Sequence, residues 1–532
     1  MDMKRIVTMG LMGLAVVAAY AGHGKGLPAG ENATAAMARG ADVSWCTEME
    51  ADGRRFYSRE GTEMEMMALM RDIGMTAIRL RVWVNPKGYG YGAWCDKADV
   101  VGKARRAHAA GLDLMIDFHY SDTFCDPGTQ GMPLDWRGCS LEQLKEAVAA
   151  HTKDVLQALK DEGIEPRWVQ VGNETNSGML DPMGRIDWDR SGPARFANYV
   201  AVSNAGYDAV KEVLPGALVI IHLGGTENAD WFFGDFRSAG GKFDMIGLSH
   251  YPTESEWNSS AAAATHSNVN AAKWVRAAAG KYGVPVMICE TGFDVSKPAL
   301  ASKVMNDLFA RMGEIPECAG IFYWEPQVDG VWKPAWYNTL TWTDEQGNTH
   351  QGWGAYGKGA FTSSGRPTIA LDAFSGKTSE ETGIYPSELK VYNKDGNAVL
   401  TTLPKTGEGV YAGVLCATEG WMNFHVVDEE HNVWYGTDPV DKSALSSADG
   451  HWNFWIDSDV VGVYDLEVNL VTMRWTHSFN ADATESIRAV DAGAGLPVSW
   501  FDLNGRRLMA PARGVMLMKT GRGVRKVSVP TL

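Results

Sequence analysis

Two glutamates stand where an apolar run breaks off into small polar residues. Arg167-Trp168-Val169-Gln170-Val171 runs into Gly172-Asn173-Glu174-Thr175-Asn176, and Val284-Pro285-Val286-Met287-Ile288-Cys289 runs into Glu290-Thr291-Gly292. Each reads as a buried strand that delivers a carboxyl group to the place where the strand stops, although ten residues alone fit a strand entering a polar turn equally well. Two carboxyls so delivered suit the cleavage of an acetal. One protonates the departing oxygen while the other attacks or supports the carbon left behind, and a separation of ~5–5.5 Å would retain configuration there. The acid must keep a raised pKa and the nucleophile must stay ionised, so cationic or hydroxyl neighbours belong around only one of them. Arg79 and Tyr251 suit that role beside Glu290, holding it as a carboxylate.

These residues need elements to hold them. Eight apolar runs punctuate the chain, at Gly40–Trp45, Ala77–Trp83, Leu112–Tyr120, the run ending at Glu174, Leu218–His222, Phe243–Tyr251, Val284–Glu290 and Gly320–Pro326. Between them lie helical spacings, around Glu60 to Arg71, through Ala110 and around Tyr207 to Val213. The clearest helix opens at Ser140 with Gln143 as its capping-box partner. It repeats Leu144, Val148, Val155 and Leu159 on one face and ends at Gly163. Strands alternating with helices in this number predict an α/β fold, a (β/α)8 TIM barrel whose active site lies at the C-terminal ends of its strands. The rival is a doubly wound open sheet, but no G-x-G-x-x-G follows the first strand.

Arg79 or Arg81, His119, Asn173, Glu174, Tyr251, Glu290 and Trp324 all fall at strand ends, where the barrel mouth should be. Asn173 suits a sugar 2-hydroxyl, and Trp324 offers a flat apolar face to a pyranose ring. His119 and Trp136, the latter in a Pro- and Gly-rich loop after the third strand, complete the expected sugar contacts. Each has a plainer reading. Strand-end rings pack barrels, Arg79 can pair with Asp42 or Asp117 in the interior, and Glu325 in Trp324-Glu325-Pro326 reads as a loop anchor.

Bulk properties narrow the partners. A chain of 532 residues exceeds one core, so two or three domains are expected. The formal charge is 49 − 65 = −16, which argues against nucleic acid and anionic membrane surfaces and is compatible with an uncharged ligand. Lys4 and Arg5 precede an apolar run from Ile6 to Ala19, followed by Ala19-Tyr20-Ala21. This is the form of a signal peptide over 1–21 and predicts export, since the run is short for a membrane span. The seven cysteines include no C-x-x-C pair, so a zinc site is not expected. Cys125 and Cys139 bracket the third-strand loop, where an oxidising compartment would permit a bridge.

Taken in order, several stretches identify the barrel region, about 38 to 375, as resembling glycoside hydrolase family 53, the endo-β-1,4-galactanases. They are Gly40-Ala41-Asp42-Val43-Ser44, Arg79-Leu80-Arg81-Val82-Trp83-Val84-Asn85-Pro86, Asp117-Phe118-His119-Tyr120-Ser121-Asp122 and Asp126-Pro127-Gly128-Thr129-Gln130. Val169 to Asn176, Ser249-His250-Tyr251-Pro252, Glu290-Thr291-Gly292 and Tyr323-Trp324-Glu325-Pro326 complete the set. The resemblance implies a retaining mechanism with Glu174 as acid/base and Glu290 as nucleophile. It also implies β-1,4-galactan, the side chain of pectic type I arabinogalactan, as the substrate. Some bacterial members carry calcium in an acidic loop after the nucleophile. Here Asp294 stands alone in that loop, so no metal ligand set and no cofactor are expected. His250 stands where the family usually has Tyr.

Beyond Phe374 the composition changes. Ser375-Gly376-Lys377-Thr378-Ser379 reads as a linker, which predicts a catalytic domain over 22–376. Short alternating strands with turns such as Lys394-Asp395-Gly396 predict a β-sandwich over 377–480. That segment resembles the sandwich modules of outer-membrane starch-binding proteins, with Trp434-Tyr435-Gly436 as a possible sugar platform. A β tail follows over 481–532, with turns at Asn504-Gly505 and Arg513-Gly514. It resembles the C-terminal extensions of secreted Bacteroidetes hydrolases. Two other functions fit the same residues. Another β-1,4-glycanase, a mannanase or xylanase, would differ in subsite shape, and a non-catalytic glycan-binding protein would not need both carboxyls.

Overall fold

The computed structural model describes residues 36–484 apart from 344–348, 378–381, 383–384, 432, 440 and 448–450, and beyond them the backbone of four strands between 499 and 529. The export segment expected over 1–21 lies outside the described residues. Eight parallel strands close a barrel: β1 (Ala38–Asp42), β2 (Ala77–Val82), β3 (Asp113–Phe118), β4 (Trp168–Val171), β5 (Leu218–Leu223), β6 (Met245–Ser249), β7 (Val286–Thr291) and β8 (Cys318–Trp324). Strand β1 pairs with both β2 and β8, which shuts the ring.

The alternation of a strand sets what fills the interior. On β2, Ala77, Arg79 and Arg81 face the lumen while Ile78, Leu80 and Val82 meet the surrounding helices. At the floor of the lumen Met115, Trp168, Ile220, Met245, Met287 and Phe322 form an apolar layer. The Phe322 ring lies so close to Gly40 that a Cβ there would come within 2.2 Å of it, so this position admits only glycine. Above that layer the lumen turns polar, with Asp42, Arg79, Asp117, Gln170 and His222 all wholly buried.

The helix Leu141–Asp161 begins as its sequence requires. Ser140 Oγ accepts from the Gln143 amide at 3.4 Å and Gln143 returns the contact to the Ser140 amide at 2.8 Å. Its buried face carries Leu144, Val148, Val155 and Leu159. Among the described residues no helix is long and apolar enough to cross a membrane.

The second region is antiparallel. Strands β9 (Glu388–Asn393), β10 (Val399–Gly407), β11 (Val410–Ala417), β12 (Asn423–Asp428), β13 (Val433–Thr437), β14 (Gly462–Asn469) and β15 (Arg474–Phe479) pair in the order β13-β12-β9-β10-β11-β14-β15. Strand β10 pairs with β9 over its first half and with β11 over its last residues, so it passes from one layer of the sandwich to the other. The Gly396 turn, at φ +68°, joins β9 to β10. Trp421, Trp434 and Trp452 are exposed, whereas Tyr435 is buried. Neighbours on a strand point to opposite faces, so Trp434 and Tyr435 do not form one platform. Beyond 484, Ser499–Phe501, Arg507–Leu508, Gly514–Thr520 and Gly523–Val529 form a further antiparallel sheet. The Asn504-Gly505 turn expected there lies outside the described residues.

Candidate active site

Strand β4 stops at Val171, and a sharp turn carries the chain onward. Gly172 takes φ +84°, with a Cβ there reaching Thr175 Cγ2 at 2.5 Å. Glu174 itself sits at φ +45°, in the left-handed region that side chains seldom occupy. Such strain persists where the surroundings fix it and gathers at functional sites. Here the surroundings are explicit. The Thr175 amide donates to the His222 carbonyl at 2.8 Å, and Asn176 exchanges hydrogen bonds with Gly224 at 2.7 and 2.8 Å.

Arg79 is the hub. Its guanidinium donates to Asp42 Oδ2 and to Asn173 Oδ1, each at 2.8 Å, and forms ion pairs with Asp117 at 2.8 Å and with Glu290 Oε1 at 2.9 Å. Both plainer alternatives for Arg79 therefore hold together with the functional one: it pairs with Asp42, Asp117 and Glu290 at once. Tyr251 donates its hydroxyl to Glu290 Oε2 at 2.9 Å, so both oxygens of that carboxyl are taken. Glu174 has a different shell. Its Oε1 accepts from Ser249 Oγ at 2.6 Å. Ser249 lies 3.0 Å from His222 Nε2, and His222 Nδ1 lies 3.0 Å from Gln170 Nε2. With Ser249 donating to Glu174, its own acceptor site faces His222 Nε2–H, which leaves Nδ1 to accept from Gln170. Burial, and then Arg79, hold His222 well below its usual pKa and hence neutral.

The two shells divide the labour. Burial is the largest influence on both carboxyls, raising Glu174 to about 7 and Glu290 to about 8. Each charge also disfavours the other, so the pair keeps one proton through neutral pH. Burial alone favours protonating the deeper Glu290. Arg79 and Tyr251 oppose that push on Glu290, whereas Glu174 has one hydroxyl and is raised further by Asp126 and Asp117. That asymmetry of contacts favours the proton on Glu174.

His119 is nearly closed off. Its Nδ1 accepts from the Cys125 amide at 2.9 Å and its Nε2 faces Asp117 at 3.0 Å, so it holds Asp117 in place for Arg79. Asn173 donates one N–H to the Cys125 carbonyl at 2.7 Å and has a second to offer. Cys125 and Cys139 are free thiols, not bridged, and Cys125 Sγ lies 3.3 Å from the His119 carbonyl. The Cys125 backbone is thus part of the site, and its thiol turns inward. His250 is buried against Asn268 at 2.9 Å. Glu325 accepts from Arg81 and, at 3.2 Å, from the Trp45 amide, which makes it an anchor for the turn after β1. Asp294 caps its own turn through Ser296 at 2.7 and 2.9 Å. Among the described residues no group of three or more His, Cys, Asp or Glu side chains could hold a metal.

A cleft of about 800 Å³ opens beside the pair, lined by Trp45, Trp324, Tyr337, Trp353, Tyr356 and Lys358 among others. Trp324 stands edge-on to Tyr356 at 4.5 Å, and the Lys358 ammonium lies 4.6 Å from the Tyr251 ring. Trp136 packs edge-on to His151 at 6.2 Å and is not among the cleft residues. Sequence reasoning passed over Ser249 and His222. The signal was available, since His222 is the one polar residue of its strand and lies two positions beyond the lumen-facing Ile220.

The alkaline limb of the pH profile follows from this arrangement. Proton donation requires Glu174 protonated, which holds below about 7. We expect kcat/KM to fall as pH rises through about 7, roughly tenfold per unit beyond it. A profile still flat at pH 9 would remove Glu174 from the acid role.

Known proteins place the chain. The model named Glycosyl hydrolase family 53 matches residues 38–374, and the Domain of unknown function (DUF5111) matches residues 386–479. The arabinogalactan endo-beta-1,4-galactanase of Cellvibrio japonicus is 30% identical over 324 residues, which are 56% of this chain and 81% of that one. The endo-beta-1,4-galactanase of Bacillus subtilis is 30% identical over 322 residues, covering 54% and 69%. A fungal beta-1,4-galactanase structure matches 63% of this chain and 98% of its own, with a TM-score of 0.52 at 25% identity. The Ignisphaera aggregans catalytic domain of the same family gives 0.51 at 26% identity over 64% and 95%. A match over residues 38–374, on a barrel with two glutamates at its mouth, makes this chain a glycoside hydrolase and a member of family 53.

Proposed function

We propose that the protein is an exported, endo-acting hydrolase of β-1,4-galactan that retains anomeric configuration. The observation that carries the reading is the asymmetry of the two glutamates, with Arg79 and Tyr251 on Glu290 and only Ser249 on Glu174. The names of the relatives point to galactan, and the Lys-Arg start followed by an apolar run points to export. In the first step a Glu290 oxygen bonds to the anomeric carbon as the glycosidic C–O bond breaks, and Glu174 gives its proton to the leaving oxygen. In the second, Glu174 takes a proton from water, whose oxygen replaces Glu290 on that carbon. Arg79 and Tyr251 keep Glu290 anionic before attack and stabilise it again as it leaves. The free N–H of Asn173 serves the sugar 2-hydroxyl, and Trp324 stacks on the ring.

The test is hydrolysis of galactan, mannan and xylan side by side, with the anomer of the first product followed by proton NMR. Galactan alone should be cut, to internal fragments that begin as the β anomer. Cleavage of mannan or xylan with galactan untouched would sink the substrate assignment, and an initial α product would sink the retaining mechanism.

A further inference from the structure

The sandwich is fixed to the barrel. Lys303, on the helix Pro298–Gly313, is 2% exposed, and its ammonium reaches the Tyr435 hydroxyl and Asp428 at 3.7 Å. Asp428, itself wholly buried, also takes His431 Nδ1 at 2.8 Å. A buried ion pair of this kind tolerates no loosening, because either charge left alone is costly. A second set of contacts lies at the mouth. The loop after β6 carries Tyr251 close to its start, and from it the Asn258 amide donates to the Thr472 carbonyl. The carboxylate of Glu254 receives Lys297 on one side and the Ser447 hydroxyl, at 3.4 Å, on the other.

Glu254 is also a shared wall. It lines the cleft beside the catalytic pair and, equally, a groove of about 500 Å³ between its loop and the sandwich. That volume lies within the ~300–1,000 Å³ usual for ligand sites. The groove presents Asn258, Ser259, Asp438, Ser446, Ser447 and Arg474, a mixture of amide, hydroxyl, carboxylate and guanidinium groups. With Trp257, Leu300, Leu445 and Met473 beside these groups, the lining is a mixture of polar and apolar surface that suits a sugar chain, whose hydroxyls seek donors and acceptors and whose ring faces seek apolar contact. Since the sandwich is fixed in place, the groove keeps a constant register with the cleft.

We propose that this groove forms distal subsites for the same polysaccharide. A galactan chain leaving the cleft crosses Glu254 and is held by the sandwich. This assignment rests on the galactanase reading given above. Contact in the groove is then intramolecular once the cleft is filled, and it adds affinity for chains long enough to span both.

The test compares the full-length wild type with Ser259→Trp, which fills the groove, and Ser447→Ala, which removes one hydroxyl. Each is assayed on long galactan and on galactotetraose. For Ser259→Trp the KM on long galactan should rise about tenfold with kcat kept, while both parameters on galactotetraose stay unchanged. Ser447→Ala should move the same way by a smaller factor. Calorimetric titration in a Glu174→Gln background supplies a second readout: affinity should stop rising at a shorter galacto-oligosaccharide once Ser259→Trp is added. Unchanged length dependence in both measurements, or equal losses on long and short substrates, would overturn the groove alone. A wild type inert on galactan of every length would overturn the activity and the groove with it.

Discussion

Replacing Glu290 by Gln should lower kcat on galactan by about 10⁴-fold or more, because no other group described at the barrel mouth is placed to form the bond to the anomeric carbon. Replacing Glu174 by Gln should cost about 10²–10⁴-fold, the usual worth of a positioned general acid. The two losses differ in kind, and this is what identifies the roles. An aryl galactoside with an acidic phenol leaves without help, so Glu174→Gln should form the covalent intermediate normally and stall at its hydrolysis. Azide, needing no general base, should restore turnover and yield the β-galactosyl azide. In Glu290→Ala, which vacates the carboxylate's position, azide can take the nucleophile's place, and the product should be the α-azide. Product NMR on both variants reads the outcome, and the opposite pairing of azides would reverse the assignment.

The second large effect is on stability. Arg79 answers Asp42, Asp117 and Glu290 inside a lumen where all four are almost fully buried. Arg79→Met keeps the length of the side chain and removes the charge, leaving acids without a partner in a low-dielectric interior. The cost should be about 3–5 kcal/mol, read from the midpoint of urea unfolding. Arg79→Lys should recover only part of it, since an ammonium cannot reach several acceptors at once as the guanidinium fork does. In whatever Arg79→Met protein folds, Glu290 loses its cation and its pKa rises further, so residual activity should shift to higher pH. A variant as stable as wild type would mean that the lumen acids are neutral in the native protein.

The strand-end motifs were readable because barrel strands leave their polar residues in one place. The sequence alone sets Arg79, Glu174, Glu290 and Trp324 at strand ends, where the mouth lies, and marks Glu325 as an anchor. The capping box at Ser140 was equally plain, being a local pattern with a local cause. What escaped notice depends on neighbours distant in sequence. His222 and Ser249 matter only because strands β5 and β6 stand beside β4, and neither residue type is unusual at a strand end. His119 was expected at the sugar, but its two nitrogens face Asp117 and Cys125. Lys303 lies in a helix where a lysine ordinarily points to solvent, and only the sandwich packed against it reveals a buried charge. The error at Trp434-Tyr435 was of another sort, since period-2 alternation already forbade a shared face.

The apolar layer across the barrel floor, with Phe322 pressed onto Gly40, has a bearing on timing. It makes the lumen a dead end. Every water molecule and every proton that reaches Glu290 must enter by the same door as the polysaccharide. Once a sugar is seated, the door is occupied. On the retaining mechanism proposed above, the water of the second step arrives through the space vacated by the departing fragment, and hydrolysis of the intermediate waits for that fragment to leave. The floor thereby imposes an order of events on the reaction, and it protects the intermediate from premature attack from below.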